Sequence, residues 1–252
     1  LVACVARTLH EGEHRYGGSL DGTVAAIRAA GGKAEAFQAN IAEHDECVSV
    51  VGEVRQRLGP VDVLINNAAL SYFLPVRDYP YGRLERTFAV SVFAPILLSQ
   101  LVLPDMVSRR SGAIVNISSS SAIGPGRGPY PAQPSGQFMA IYGSTKAALE
   151  RLTQGFASEV YGDGVSVAAL APSQVVPSGS VAALGVIQDE TSPNAEPPEW
   201  MARAALLLAT APIDQVSGRV CYSQPVLKEF GWLEATKGGT GIDHPGSGYS
   251  QI

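Results

Sequence analysis

The sequence predicts an α/β fold with a doubly wound parallel sheet, and three observations predict it. Short apolar runs alternate with longer stretches of helical period from one end of the chain to the other. The short runs are near-continuous in apolar residues rather than alternating, as befits strands buried on both faces. The chain has 252 residues, 46% apolar and 16% charged, which suits one ordinary domain with one large core.

The elements follow in order. "LVACVA" at 1–6 reads as a strand, and "SLDGTVAAIRAAGG" at 19–32 as a helix stopped by glycine. "KAEAFQA" at 33–39 is a second strand, "DECVSVVGEVRQRLG" at 45–59 a helix, and "VDVLIN" at 61–66 a third strand. A long helical stretch covers 82–110, in which Pro95 should introduce a kink or mark the real start. "GAIVNIS" at 112–118, the helix at 135–162, "VSVAALA" at 165–171, the helix at 197–209 and "GRVCYS" at 218–223 complete the alternation. Strands joined this way need right-handed crossovers, and such sheets bind ligands outside the carboxyl ends of their strands.

Two stretches are irregular. "GPGRGPYPAQPSGQ" at 124–137 is a Gly/Pro loop, and the segment at 172–198 is long enough to be a lid. Residues 1–225 are expected to form one domain and 226–252 a C-terminal tail, whose segment 237–252 is expected to be mobile or docked on another subunit.

A net charge of -5 and a pI near 5.4, with no basic stripe, argue against a nucleic-acid partner. Cys4, Cys47 and Cys221 are odd in number and far apart, which suits reduced thiols and a cytoplasmic location. The apolar run at 90–106 is broken by Ser91, Pro95, Ser99 and Gln100, so no membrane span is expected from it. "LVACVARTLH" lacks the basic lead of a signal peptide, and with no initiator Met the true beginning is expected to lie upstream. No metal site is expected.

The chemistry concentrates in "YGSTKAAL" at 142–149. Tyr142 and Lys146 are four apart on a helix and so share a face, and a nearby ammonium favours the phenolate. With nine tyrosines in the chain an accidental match is common enough that context must decide. Upstream, "GAIVNISSSSAIG" places Ser119 or Ser120 at a strand's carboxyl edge, where a hydroxyl can bond a substrate oxygen. "VDVLINNAAL" ends a buried strand in two amides and two small residues, either a site for a flat ligand or a satisfied turn.

In order and nearly in spacing, these three segments resemble the short-chain dehydrogenase/reductase family over residues 1 to about 225. The resemblance implies a Rossmann-like fold and an NAD(P)-dependent oxidoreductase that interconverts a secondary alcohol and a ketone or other carbonyl. Tyr142 matches the general acid/base. Lys146 matches the residue that lowers the Tyr pKa and holds the nicotinamide ribose, and Ser119 matches the serine that orients the substrate oxygen, with Ser120 as the fallback. Asn67 and Ala68 match positions lining the adenosine ribose, Asn40 stands where an Asp usually meets adenine, and Pro172 belongs to the turn after the next strand. Arg7 sits where NADP-preferring members carry a base for the 2′-phosphate, which favours NADP over NAD. The expected partners are a small alcohol or carbonyl substrate and a second copy of the chain, because the helices at 83–109 and 141–161 match those that build dimers and tetramers.

The chain also departs from the pattern. No strand–glycine–helix unit matches the family's phosphate-binding loop: "GPGRGP" at 124 follows the wrong strand, and "GGTGIDHPGSG" at 238–248 lacks the flanking elements. The resemblance therefore implies an N-terminally incomplete sheet, lacking its first strand and helix, with the edges of its neighbours unpaired. Ser91 replaces an Asn that anchors a relay water, Ser173 a Gly, and Pro177 a Thr, for which Ser178 can substitute. Ser119 and Tyr142 lie further apart than is usual in the family. The missing loop keeps open a second reading, a catalytically inactive binding or assembly module. A third, a sugar epimerase or dehydratase, needs a larger C-terminal domain than this chain offers.

Overall fold

The computed structural model describes residues 1–14, 16–124, 127–130, 138–183, 185, 187 and 191–239, and the elements alternate in it as expected. The chain runs β1 (Val2–Ala6), α1 (Leu20–Ala29), β2 (Ala34–Gln38), α2 (His44–Leu58), β3 (Val63–Asn66), α3 (Tyr81–Phe88), α4 (Ala94–Arg109) and β4 (Gly112–Ile117). It continues through α5 (Ala140–Val160), β5 (Val165–Ala171), α6 (Gly179–Ala183), α7 (Pro198–Thr210), α8 (Ile213–Val216), β6 (Val220–Tyr222) and α9 (Ser223–Glu229). Much of the Gly/Pro loop, part of the expected lid and residues 240–252 lie outside the described residues.

Local signals account for the element ends. The Ser19 hydroxyl accepts from Gly22 N at 3.0 Å and caps α1, while Asp21 and Arg28 complement its dipole in the first and last turns. The stretch read as one helix at 82–110 is instead two, joined by a π-helical turn over Ala89–Phe93, and Pro95 sits in the first turn of α4. A proline there lacks only an N–H that the first turn leaves free. Over Tyr81–Arg109 the mean hydropathy reaches 1.8, enough by length and composition to cross a membrane, which counting uninterrupted apolar residues did not register. In the fold α4 lies in a sheet-covering layer, with Val102 and Met106 buried against the core.

All strand pairs are parallel. Successive residues of the central strands serve opposite faces, as the pleat requires. Ile114 and Val167 enter a core with Phe37, Val50 and Met106, whereas Val115 and Ala168 enter one with Leu207, Val216 and Leu227. Every residue of β5 is buried. The second core also takes in Val226, Leu227, Phe230 and Trp232, so the expected boundary at 225 falls within the packed domain. The packed part reaches Leu233.

The sheet is in two pieces. β1 pairs only with β2, while β3, β4, β5 and β6 form a separate four-stranded sheet in that order. Between β1 and β3 lies a cavity of about 700 Å³, lined by Val2, Val5 and Ala6 on one side and by Val63, Ile65 and Asn67 on the other. Val54 of α2 and Leu98 of α4 also line it. Val2, Val5, Val63 and Ile65 are 39–47% exposed, unusual for strand residues of this type in a parallel sheet. The unpaired edges expected from the sequence are those of β1 and β3.

Candidate active site

Where β4 ends, α5 begins to pass across its carboxyl edge. The approach depends on Gly143, since a Cβ there would stand 2.4 Å from the Ser121 carbonyl oxygen. A one-turn 3-10 segment, Ser120–Ala122, follows β4, and the Ser119 hydroxyl caps it by accepting from Ser121 N at 3.2 Å.

Three consecutive residues of the β4 exit each hold one residue of α5. The Lys146 ammonium donates to the Ile117 carbonyl at 2.6 Å. The Ser118 hydroxyl donates to the Glu150 carboxylate at 2.6 Å. Ser119 and Tyr142 are hydrogen-bonded through their side chains. Ser119, Tyr142 and Lys146, singled out from sequence, thus share one cleft, with Lys146 Nζ 5.7 Å from the Tyr142 ring centroid and Phe73 edge-on to that ring. Ser120 lies one residue beyond, in the 3-10 segment.

The electrostatics correct one expectation. Burial holds the Tyr142 phenol above its ordinary pKa, and the Ser119 hydrogen bond only partly opposes this. The Lys was expected to bring it down. The Lys146 proton is directed at a strand carbonyl instead, and desolvation of the phenolate dominates. Lys146 itself is lowered by burial to about 8, with Glu150 acting in the opposite direction.

The cleft is supported by residues flagged from sequence, Asn66, Ser91, Ser173 and Ser178, and by others that sequence reasoning missed, Asn116, Thr153 and Glu196. Asn66 donates to Asn116 at 2.8 Å, and Asn116 donates to Thr153 at 2.9 Å, joining β3, β4 and α5 through buried side chains. Ser91, in the π-helical turn, is buried and accepts from Leu70 N at 3.2 Å, so its hydroxyl orders the loop after β3. π-turns recur at functional sites. Glu196 is wholly buried and receives Ser223 Oγ at 2.7 Å, Gln224 Nε2 at 3.0 Å and Gln174 N at 3.2 Å. Burial raises its pKa while these bonds lower it. Through Ser173, whose N–H donates to Ser223 Oγ at 3.1 Å, this cluster fixes the turn that begins at Pro172. Lys237 Nζ donates to Ala195 O at 2.9 Å, so the segment after α9 docks on its own chain. Ser178 caps the turn at Val181 N at 3.2 Å.

The remaining candidates scatter along the carboxyl edge. Asn67 and Ala68 line the mouth of the cavity between β1 and β3, opposite Ala6. Arg7, next in the chain, is exposed, and its carbonyl accepts from Gln38 Nε2 at 2.9 Å. Asn40 turns inward on its own loop, with Oδ1 accepting from Ala42 N at 3.3 Å, an arrangement that competes with a contact to adenine.

The arrangement fits the nicotinamide half of a dinucleotide: a buried ammonium, a phenol and a hydroxyl converge at the sheet's carboxyl edge. It does not fit the phosphate half. Among the described residues the space between β1 and β3 is an apolar cavity with no glycine-rich turn leading into a helix, and the buried Asn66 Oδ1 beside it has no hydrogen-bond donor. No group of three or more His, Cys, Asp or Glu able to hold a metal occurs among the described residues.

The sequence model described as short chain dehydrogenase matches residues 14–183. A short chain dehydrogenase of Pseudocercospora fijiensis is 37% identical over 177 residues, which cover 69% of this chain and 51% of that protein. The ketoacyl reductase HetN of Nostoc is 30% identical over 178 residues, 71% of this chain and 56% of that one. The chain thus spans about half the length of these curated relatives. A crystal structure described as an NAD(P)-dependent gluconate 5-dehydrogenase of Beutenbergia cavernae, with bound NADP at low occupancy, superposes with a TM-score of 0.68. It is 29% identical, and the match covers 85% of this chain and 82% of that one.

Proposed function

This chain belongs to the short-chain dehydrogenase family, and from that premise we propose that it serves an NAD(P)-dependent oxidoreductase interconverting a secondary alcohol and a carbonyl compound. The observation that carries the reading is the cleft at β4 and α5, where Ser119 is bonded to Tyr142 with the Lys146 ammonium one helical turn away. The bound nicotinamide supplies or accepts the hydride.

In the reducing direction Tyr142, kept protonated by burial, donates its phenolic proton to the carbonyl oxygen as negative charge develops there. Ser119 holds the same oxygen by a hydrogen bond. The phenolate left behind accepts the Ser119 hydrogen bond and lies one helical turn from the Lys146 cation, whose Nζ is 5.7 Å from the ring centroid, and both favour the charged form. In the oxidising direction the same groups act in reverse. Lys146 and Tyr142 would also hold the nicotinamide ribose of a bound cofactor, with the turn at Pro172 beside its nicotinamide and Asn67 and Ala68 toward its adenosine. NADP is favoured by the exposed Arg7 and by the NADP reported with similar structures.

A strand and glycine-rich turn seated in the cavity between β1 and β3 would pair with both open edges and supply backbone N–H groups for the phosphates. Two copies associate through α4 with the π-helical turn before it and through α5, where Phe93 of the turn and Leu152 of α5 are 59% and 38% exposed. The protein acts in the cytoplasm.

The test is a screen of ketones and secondary alcohols with NADP(H) and NAD(H), read by nicotinamide absorbance, on the chain and its Tyr142→Phe variant. Loss of about 10²–10⁴ in kcat, with cofactor binding retained, is expected of a missing general acid. Unchanged turnover by the variant refutes the assignment.

A further inference from the structure

The mechanism above leaves one buried charge without a task. Glu150 is wholly buried, one turn beyond Lys146 on the same face of α5, so that Tyr142, Lys146 and Glu150 form a ladder of phenol, ammonium and carboxylate. An ionised carboxylate is costly to desolvate and persists inside a fold only with compensation. Ser118 supplies part of it through the 2.6 Å hydrogen bond. A neutral glutamine would accept that same bond. The hydrogen bond by itself therefore gives no reason for a charge at this position.

Resting on the oxidoreductase reading, we propose that Glu150 is a positioning residue whose carboxylate, gripped by Ser118, keeps the Lys146 ammonium charged and in place beneath Tyr142. The geometry is a register between strand and helix. Ile117, Ser118 and Ser119, in sequence, hold Lys146, Glu150 and Tyr142. Ser118 thereby fixes the carboxylate relative to the same strand end that fixes the ammonium. A slip of α5 along β4 would break all three contacts together.

The titratable groups around Lys146 and its partner support one sign of charge. On α5 these are Tyr142 and Glu150, and on β6 they are Cys221 and Tyr222, which feel Glu150. Cys221 and Tyr222 are pushed up to about 12, by burial first; at Cys221 the Arg219 cation opposes this while Glu229 and Glu150 add to it, and at Tyr222 Glu150 adds to it. Both stay neutral across the working range of pH. Arg219 and Glu229 act on Cys221 and pair with each other, and Glu150 is the charged group that acts on Lys146. Lys146, at about 8 even with Glu150 beside it, would deprotonate at lower pH without it.

The experiment compares Glu150→Gln with the parent in two readouts. The first is the titration of Lys146 followed by NMR of labelled lysine, which needs no turnover. The second is the pH profile of kcat. In Glu150→Gln the Lys146 midpoint is expected to fall by about one unit or more, and the alkaline limb of kcat to move down with it, while KM for the alcohol changes less than two-fold. Glu150→Asp, which restores the charge, should recover part of both shifts. An unchanged Lys146 midpoint in a folded Glu150→Gln variant overturns the proposal, as does a loss of kcat that is the same at every pH. Should Tyr142→Phe leave turnover intact, the oxidoreductase reading falls, and the NMR titration still decides whether Glu150 holds the charge on Lys146.

Discussion

The two halves of the carboxyl edge are built to different standards. Around β4 and β5 the strands are paired on both sides, Ile114, Val115 and Val167 are fully buried, and three hydrogen-bonded contacts lock α5 to the strand exit. Around β1 and β3 each strand has a single partner, their facing edges are open, and four large aliphatic side chains are 39–47% exposed. The cleft proposed for proton handling and the cavity between β1 and β3 therefore do not depend on the same packing.

The strongest way to break this comparison is to fill the cavity. A chain extended ahead of Leu1 by an apolar strand, a glycine-rich turn and a crossover helix should bind NADP(H) about a hundred-fold more tightly or better. Backbone N–H groups aimed at two phosphates contribute on the order of 1.5–3 kcal/mol each, and 1.4 kcal/mol is ten-fold. Calorimetric titration of both forms checks it. Equal affinity would mean that the chain binds phosphate by some route other than the cavity.

A smaller and more local effect separates the halves by stability. Ile114→Ala removes a fully buried side chain and should cost about 2–5 kcal/mol in denaturant unfolding. Ile65→Ala, at a site 47% exposed, should cost under about 1 kcal/mol. In the extended chain the second value should climb toward the first, because the new strand would cover Ile65. If the two substitutions cost the same in the 252-residue chain, the halves are not different in packing after all.

How much of this was legible beforehand differs by residue. The six strands lie within three residues of their expected bounds, because β-branched runs such as "VSVAALA" admit few other readings. The break between α3 and α4 was half legible: Pro95 announced it, but a π-turn has no residue signature. Tyr142, Lys146 and Ser119 were found through spacing and resemblance. Their pKa directions were not, since the phenol's direction is set by burial, which spacing does not measure. Glu150 and Glu196 were passed over for a related reason: a carboxylate on a helix or in a loop is solvated in most proteins, and only the packed fold encloses these two. Asn40 was assigned from the family resemblance, and its Oδ1 accepts from Ala42 N within its own turn, a contact that sequence did not announce.

The smallest expected effect tests whether the open half does any recognition of its own. Arg7 leaves β1 at the carboxyl edge, exposed, and its backbone carbonyl accepts from Gln38 Nε2. A 2′-phosphate would meet its guanidinium in solvent, where one such contact contributes about 1 kcal/mol after screening. Arg7→Gln should therefore lower the preference for NADP over NAD about five-fold and leave kcat with saturating cofactor unchanged. The effect should shrink as salt is raised, because the contact is electrostatic and exposed. An unaltered ratio of kcat/KM for the two cofactors would locate the discrimination outside β1, and β1 would then serve only as scaffold.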